Sequence, residues 1–499
     1  MAGSSEQAQA NGSNGIIAPT PSDGAADGVT TTTTSQSLSA DEIALYDRQI
    51  RLWGAQAQER IRSANILLIS LRALGTEIAK NLTLAGISSL TIVDDEAVTE
   101  EDLGSQYFLR EGDIGQPRAQ VAIPRIQELN PRVAVKSGGS LSDLLSKDQT
   151  YYAPFDCVVA CDHDFMTLSI INTAARFASR PFYAAGIHGF YGYIFADLVG
   201  HEFVVERDKS NVATPIGTET LTRSVVSVTT KKENNGKNVE IVKKQEIFCP
   251  LILANSSPLP MDVLSNRRKL RSVPPLLPCL RALFDFQRTC NRLPGHNSQD
   301  IAGFTALATT KSRELQLPPE TLRADFLRSF IQNIGAEIVP TAAFVGGRLS
   351  EDVINVLGKR EQPIQNFAMF DGDALDGRIY SLFSPPPELA MQVDGLSGNN
   401  NMGMGVSRTD GIQQSGGMSN GDGIMPMTMQ TVNAVMPDMA IENVLFDTSG
   451  GTPVNNNIGV AAPNSGADFD SASASASAAV NNGTSGVAPT SAPAGSNVG

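Results

Sequence analysis

Short apolar runs alternate with stretches in which apolar positions recur every three or four residues, and this alternation organises residues 41–385. Residues 65–70 (NILLIS) and 89–93 (SLTIV) are apolar runs bounded by loops, as expected of buried parallel strands. Between them Ile78, Leu82 and Ala85 fall at helical spacing, and Gly86 is placed to stop the helix. Downstream, Pro117 can open a helix that runs to Asn130-Pro131, with a kink expected at Pro124. Residues 133–136, 156–160 and 181–186 read as strands, and 167–178 as a helix. Upstream, Ser39-Ala40-Asp41-Glu42 offers a capped helix start. Ile43, Tyr46, Ile50, Trp53, Ala57 and Ile61 then mark one apolar helical face, which Gly54 can interrupt.

Residues 191–198 and 202–206 alternate like antiparallel strands. Residues 208–244 are polar and rich in Lys and Asn, which predicts a poorly ordered loop. Residues 250–332 read as mostly helical with proline breaks, a helical insertion separate from the sheet. Residues 343–347 lead into a helix at 348–357, and 366–370, 371–372 and 378–383 close the pattern as strand, turn and strand. The predicted class is α/β: a doubly wound, mostly parallel, Rossmann-like sheet with ligands at the strand C-termini. The expected organisation is an N-terminal tail (1–40), the first part of the fold (41–205), a polar loop and helical insertion (206–335), the last part of the fold (336–388) and a C-terminal tail (389–499).

Composition separates the tails from the rest. The first 40 residues hold three acids and no Lys or Arg; residues 389–499 hold eight acids and one base, Arg408. Together they carry −10 of the formal −14, so the folded part is only mildly acidic, which argues against a general nucleic-acid-binding surface. Both tails read as disordered. Residues 389–440 contain nine of the 13 methionines, and 441–447 (IENVLFD) reads as a chance apolar patch before a short docking segment. The five cysteines form no CxxC pair, so neither a zinc ribbon nor a disulfide framework is indicated, and no metal site is expected. No apolar run nears 18 residues, so no membrane partner is expected and the chain reads as soluble and intracellular. The basic cluster at 266–271 (NRRKLR) reads as a solvated helix face before a localisation signal.

The stretch 65–95 has the layout of a nucleotide-binding βαβ unit, whose fingerprint is G-x-G-x-x-G with an acid about 20 positions later. Here the loop is Ser70-Leu71-Arg72-Ala73-Leu74-Gly75. Gly75, which permits close helix–strand packing, remains, and Asp94 stands at the distance for a ribose hydroxyl. Arg72 occupies a position where glycine would let the backbone approach a phosphate. The unit is recognisable and its phosphate cradle is damaged.

Residues 46–54 (YDRQIRLWG), followed in order by GDIGQPRAQ (112–120), ACD (160–162), GFYGYIFADL (189–198), IFCP (247–250), FVGG (344–347) and NFAMFDG (366–372), resemble the ubiquitin-like-protein-activating enzymes, over roughly residues 41–385. The resemblance implies a ThiF-type adenylation fold and two-step chemistry. MgATP adenylates the C-terminal glycine of a small protein modifier, and a cysteine then attacks the adenylate to form a thioester. The length and the YGYIFADL–GHEF segment point to the branch that activates the modifier SUMO, and within it to the subunit lacking the catalytic cysteine. Its expected partners are therefore the cysteine-bearing subunit and SUMO, and its expected location is the nucleus, with the cytoplasm as the alternative. MgATP is expected mainly on the partner, with no cofactor held tightly by this chain.

The family's working site uses an intact glycine loop, an N-x-N-R-Q segment, a Lys and two Asp residues. Matched by position, this chain keeps Asp94 and Asp162. It has Asp102-Leu103-Gly104-Ser105-Gln106 for N-x-N-R-Q, and Arg118 for the Lys, a planar fork in place of a compact charge. Gly75, Arg72, Asp94, Arg118 and Asp162 thus outline a vestigial nucleotide site. The resemblance also places Arg48 in the partner's ATP site, supplied in trans like an arginine finger; the alternative is a solvated arginine, as for Arg51. Of the cysteines at and inside the insertion, Cys249, Cys279 and Cys290, none has a histidine close in sequence to activate it. His163 and His188 read as loop residues at the sheet's ligand edge. Three other readings stay open: the same kind of subunit serving another ubiquitin-like modifier, a self-sufficient adenylating enzyme, which the damaged loop opposes, and an NAD-linked oxidoreductase, which only the βαβ unit suggests.

Overall fold

The computed structural model describes residues 38–232 and 236–384; the expectations for the tails, including the patch at 441–447, lie outside the described residues but for 38–40. The fold opens with a capping box, Ser39 and Glu42 exchanging backbone-to-side-chain hydrogen bonds at the start of α1 (Ala40–Leu45). Two further short helices follow, α2 (Asp47–Trp53) and α3 (Ala55–Ser63). The predicted apolar stripe is broken twice. Tyr46 turns inward between α1 and α2, and Gly54 adopts φ +86° between α2 and α3.

Next come β1 (Asn65–Ile69), α4 (Ala73–Ala85) and β2 (Ser89–Val93), with α4 stopped by Gly86 in the left-handed region. The chain continues through α5 (Arg118–Leu129), β3 (Ala134–Ser137), α6 (Leu141–Leu145), α7 (Gln149–Tyr152), β4 (Cys157–Cys161), α8 (Phe165–Phe177) and β5 (Phe182–His188). These five strands are parallel, in the order β3-β2-β1-β4-β5 reversed across the sheet, so the strand order switches between β1 and β4. A cleft outside the strand C-termini at that switch is where such sheets hold ligands. Three antiparallel strands extend the far edge: β6 (Tyr191–Asp197) and, from the end of the described chain, β11 (Phe367–Asp371) and β12 (Asp376–Tyr380). The sheet is thus α/β, doubly wound and mostly parallel.

Residues 208–244 are not the predicted loop. After β7 (Gly200–Asp208) they form β8 (Gly217–Thr218), β9 (Arg223–Lys232) and most of β10 (Asn238–Ile247), a second, antiparallel sheet in the order β7-β10-β9-β8. Val225, Val239 and Val242 are buried with Phe203. A half-exposed sheet needs few apolar positions, so the lysines hid them.

Six helices follow: α9 (Leu251–Ser256), α10 (Met261–Leu264), α11 (Arg267–Arg271), α12 (Leu276–Cys290), α13 (Ser298–Glu314) and α14 (Ala324–Asn333). They are helical as expected but not separate. Phe284 of α12 packs at 5.2 Å from Phe165 and 5.4 Å from Tyr193, ring centroid to centroid, so insertion and sheet share one core.

The last helix, α15 (Val339–Gly358), starts well before the expected position, with Pro340 in its first turn. The FVGG segment lies inside it. Gly346 is no breaker here; a Cβ on it would come within 2.8 Å of Glu77 Cβ, so its absence lets α15 press against α4. Among the described residues no helix is long and apolar enough to cross a membrane.

Gly75 sets the other close approach, since a Cβ there would lie 2.2 Å from the carbonyl oxygen of Ser70. Gly75→Ala is expected to destabilise the chain by about 2–3 kcal/mol, read as a lower urea midpoint at unchanged denaturant slope.

Candidate functional site

The loop from β1 to α4 enters the cleft through Ser70, a serine held at φ +75°, followed by Leu71 and Arg72. A helix N-terminus at this place offers free N–H groups and a positive dipole end to an anion. In this chain the anion is its own. Glu337, from the segment before α15, accepts a hydrogen bond from the Ala73 N–H at 3.1 Å and one from Ser105 Oγ at 3.4 Å. Its other oxygen lies 2.5 Å from Arg72 Nε. Arg72 is therefore an ion-pair partner for Glu337, and that carboxylate takes the position at α4 that a phosphate requires.

Asp94, at the end of β2, is buried and fully engaged. One oxygen accepts from the Leu71 N–H at 2.6 Å, the other from the Glu96 N–H at 3.1 Å, and Arg118 Nη1 donates to both. Arg118, 3% exposed at the start of α5, also donates to Glu96 Oε2 at 3.1 and 3.2 Å and to Asp102 Oδ2 at 3.3 Å. Asp102 is held in turn by Thr99 and Gln106. One guanidinium thus serves three carboxylates, and both of its terminal nitrogens are spoken for.

Asp162 sits apart, at the end of β4 with φ +56°. Its Oδ1 accepts from the Ile187 N–H at 3.0 Å, while Oδ2 has no partner. Burial, reinforced by the like charge of Glu337, pushes its carboxyl from the ordinary 3.8 up to about 7. Arg72 and Glu337 line two chambers. One of about 540 Å³ includes Glu96, Asp102, Ser105 and Arg118; the other, of about 250 Å³, includes Asp162, His163, His188 and Gln287. His163 and His188 do lie at the ligand edge of the sheet, and burial lowers the basicity of both, His188 to about 4. The cleft brings together Gly75, Arg72, Asp94 and Arg118, with Asp162 next to them. Sequence reasoning missed Glu337, which lies 264 positions from Ala73 and belongs to no motif.

The N-terminus of α4 is capped by a carboxylate, both terminal nitrogens of Arg118 are engaged by carboxylates, and the described residues contain no cluster of three metal-type ligands. The cysteines offer no activated thiol at the cleft. Cys157, Cys161, Cys249 and Cys279 are buried, and burial pushes each of these thiols up, Cys249 to about 12; Cys290 is exposed at the end of α12.

Arg48 is on the exposed side of α2, and among the described residues it makes no hydrogen bond or ion pair. Its neighbour Arg51 pairs with Asp47 at 3.0 Å. α2 packs against the C-terminal end of α4, whereas the cleft is at the N-terminal end. With 13 residues, α4 separates the two by about 20 Å.

A doubly wound sheet with a loop–helix cleft at its switch point, joined to an antiparallel edge and a helical insertion, defines an adenylation-type domain, and the chain belongs to the ThiF family, whose model matches residues 46–388. At the level of individual proteins, it is similar to the DNA damage tolerance protein RHC31 of Saccharomyces cerevisiae, 39% identical over 355 residues that cover 69% of this chain and 98% of that protein. It is similar also to SUMO-activating enzyme subunit 1 of Homo sapiens, 34% identical over 352 residues (69% of this chain, 96% of that protein), and of Xenopus laevis, 33% over 356 residues (70% and 97%).

The raised pKa of Asp162 fixes a sign. Between about pH 4 and 7 the folded chain keeps a proton that the unfolded chain has lost, so this group's contribution to stability falls as pH rises through that interval. Asp162→Asn keeps the acceptor for Ile187 and carries no charge. It is expected to flatten the stability–pH curve between pH 4 and 7, measured by urea unfolding, and to leave stability at pH 7 equal or higher.

Proposed function

We propose that this chain is the non-cysteine subunit of a heterodimeric activating enzyme for a ubiquitin-like modifier, SUMO, and that it supports adenylation in its partner's site rather than in its own. The observation that carries this reading is the Glu337 carboxylate at the N-terminus of α4, which puts a fixed negative charge where ATP needs room for its own. The similarity to SUMO-activating enzyme subunit 1, over nearly the whole of that protein and 69% of this chain, supports the modifier and the pairing with a cysteine-bearing subunit. Four of the five thiols are buried with raised pKa, and the exposed one, Cys290 at the end of α12, is not among the residues lining the cleft, which supports the absence of a catalytic cysteine in this chain. In this reading MgATP is held by the partner, and the nucleus is the place of action.

Arg48 is the group this chain contributes. In the partner's site the modifier's C-terminal carboxylate attacks the α-phosphate, the bond to pyrophosphate breaks, and negative charge builds on the transferring group. A guanidinium held ready at that point stabilises the charge without reorganising. Arg48 suits this role because it is exposed and uncommitted, on a helix flanked by an apolar groove. Leu52, 78% exposed, lines that groove with Trp53, Leu84 and Ile354, and such a surface fits a partner's face.

ATP–pyrophosphate exchange with the partner and modifier tests the proposal. Exchange is expected to require both chains and to fall by roughly 10³-fold in Arg48→Ala, with the mutant dimer still assembling on a sizing column. Purified alone, this chain is expected to bind no ATP by calorimetry. Exchange by the chain alone would restore the self-sufficient enzyme reading.

A further inference from the structure

The last carbonyls of a helix have no intrahelical donors and must find partners elsewhere. At the end of α4 three consecutive ones are answered by side-chain amides from other elements. Asn130 Nδ2 donates to Thr83 O at 3.0 Å, Gln49 Nε2 to Leu84 O at 3.0 Å and Gln58 Nε2 to Ala85 O at 3.1 Å. All three of these amides hold α2, directly or through one contact. Gln49 is on α2 itself, next to Arg48. Asn130 Nδ2 also donates to Tyr46 Oη at 2.9 Å, and Tyr46 is the residue from which α2 starts.

Tyr46 is 4% exposed, and its ring lies over Gly86 so closely that a Cβ there would be 2.5 Å from the phenolic oxygen. Gly86 thus provides both the left-handed stop of α4 and the floor for the tyrosine. The far end of α2 is pinned as well. Gln58 accepts from Trp53 Nε1 at 2.8 Å, and Arg360 Nη1 donates to Trp53 O at 3.0 Å. A seven-residue helix has little stability of its own. Its orientation is set by these contacts, all on the side away from the exposed Arg48.

We propose that Gln49, Asn130 and Tyr46 are positioning residues for Arg48: they seat its helix on the C-terminal carbonyls of α4 and so fix where the guanidinium is presented to the partner's nucleotide. None of the three needs to touch nucleotide or modifier. The inference rests on the in-trans reading of Arg48. It adds that the arginine's effect depends on a clasp whose geometry this chain alone determines.

A double-mutant cycle on the assembled heterodimer tests it, with pyrophosphate exchange as the readout. Gln49→Ala, at a half-buried surface position, and Asn130→Ala, in the interior, are each expected to lower kcat on the order of ten- to a hundred-fold, the scale of a misplaced reacting group. KM for ATP should stay unchanged. Tyr46→Phe keeps the ring over Gly86 and loses the amide's acceptor, so a smaller loss of the same kind is expected. In an Arg48→Ala background, Gln49→Ala and Asn130→Ala should cost nothing further, because residues acting through one group are not additive. Equal losses in both backgrounds, or unchanged exchange in Gln49→Ala and Asn130→Ala dimers that assemble normally, would overturn the positioning role and leave the role of Arg48 standing. No effect of Arg48→Ala itself would overturn both.

Discussion

The chain's two chemical ends are the two ends of one helix. An α-helix leaves unpaired N–H groups and a partial positive charge at its start, and unpaired carbonyls with a partial negative charge at its finish. In α4 each set meets a partner from elsewhere in the chain. Glu337 meets the N-terminus; Asn130, Gln49 and Gln58 meet the C-terminus. The first contact places a carboxylate at the switch-point cleft, and the second seats the helix that carries Arg48. Close approach at Gly75, Gly86 and Gly346 is what lets β1, Tyr46 and α15 press against this one helix.

The Arg118 cluster shows why the cleft is a structural centre. A buried guanidinium is costly unless its donors are met, and a buried carboxylate likewise. Arg118 has the planar fork to reach Asp94, Glu96 and Asp102 together, which the compact ammonium of a lysine does not. The substitution that reads in the sequence as a poor phosphate ligand is, in the fold, a cross-link. It ties the end of β2 to the start of α5 and to the segment around Asp102. Truncating it would strand three acids, two of them buried.

The parallel sheet was legible because buried strands on both faces must be continuously apolar, and NILLI, SLTIV and CVVAC are. The stop at Gly86 and the capping box at Ser39 were equally plain, since each rests on local chemistry. Illegibility began where the decisive partner was distant or the apolar signal thin. β9 and β10 carry a few buried valines among lysines, and composition alone reads such a stretch as loop. The FVGG segment reads as a lead into a helix rather than its interior until the neighbour that Gly346 accommodates, Glu77 of α4, is known. Arg72, Asp94, Arg118 and Asp162 could be placed at one sheet edge from their motifs. That Arg72 would be answered by Glu337 could not, because ion pairing across 265 positions leaves no periodicity to read.

Geometry also separates the roles that one polypeptide could otherwise combine. Arg48 is exposed beyond the C-terminal end of α4, and the cleft opens at its N-terminal end, about 20 Å away along a rigid rod. No side-chain rotation spans that distance, so an arginine placed there acts outside its own subunit or not at all. On the proposed in-trans role, the chain's own cleft is free of the demands of catalysis, and the Glu337 carboxylate there braces α4 against the segment leading into α15. On the proposed reading, the carboxylate at one end of α4 and the arginine carried at the other are separate tasks, kept apart by the length of that helix.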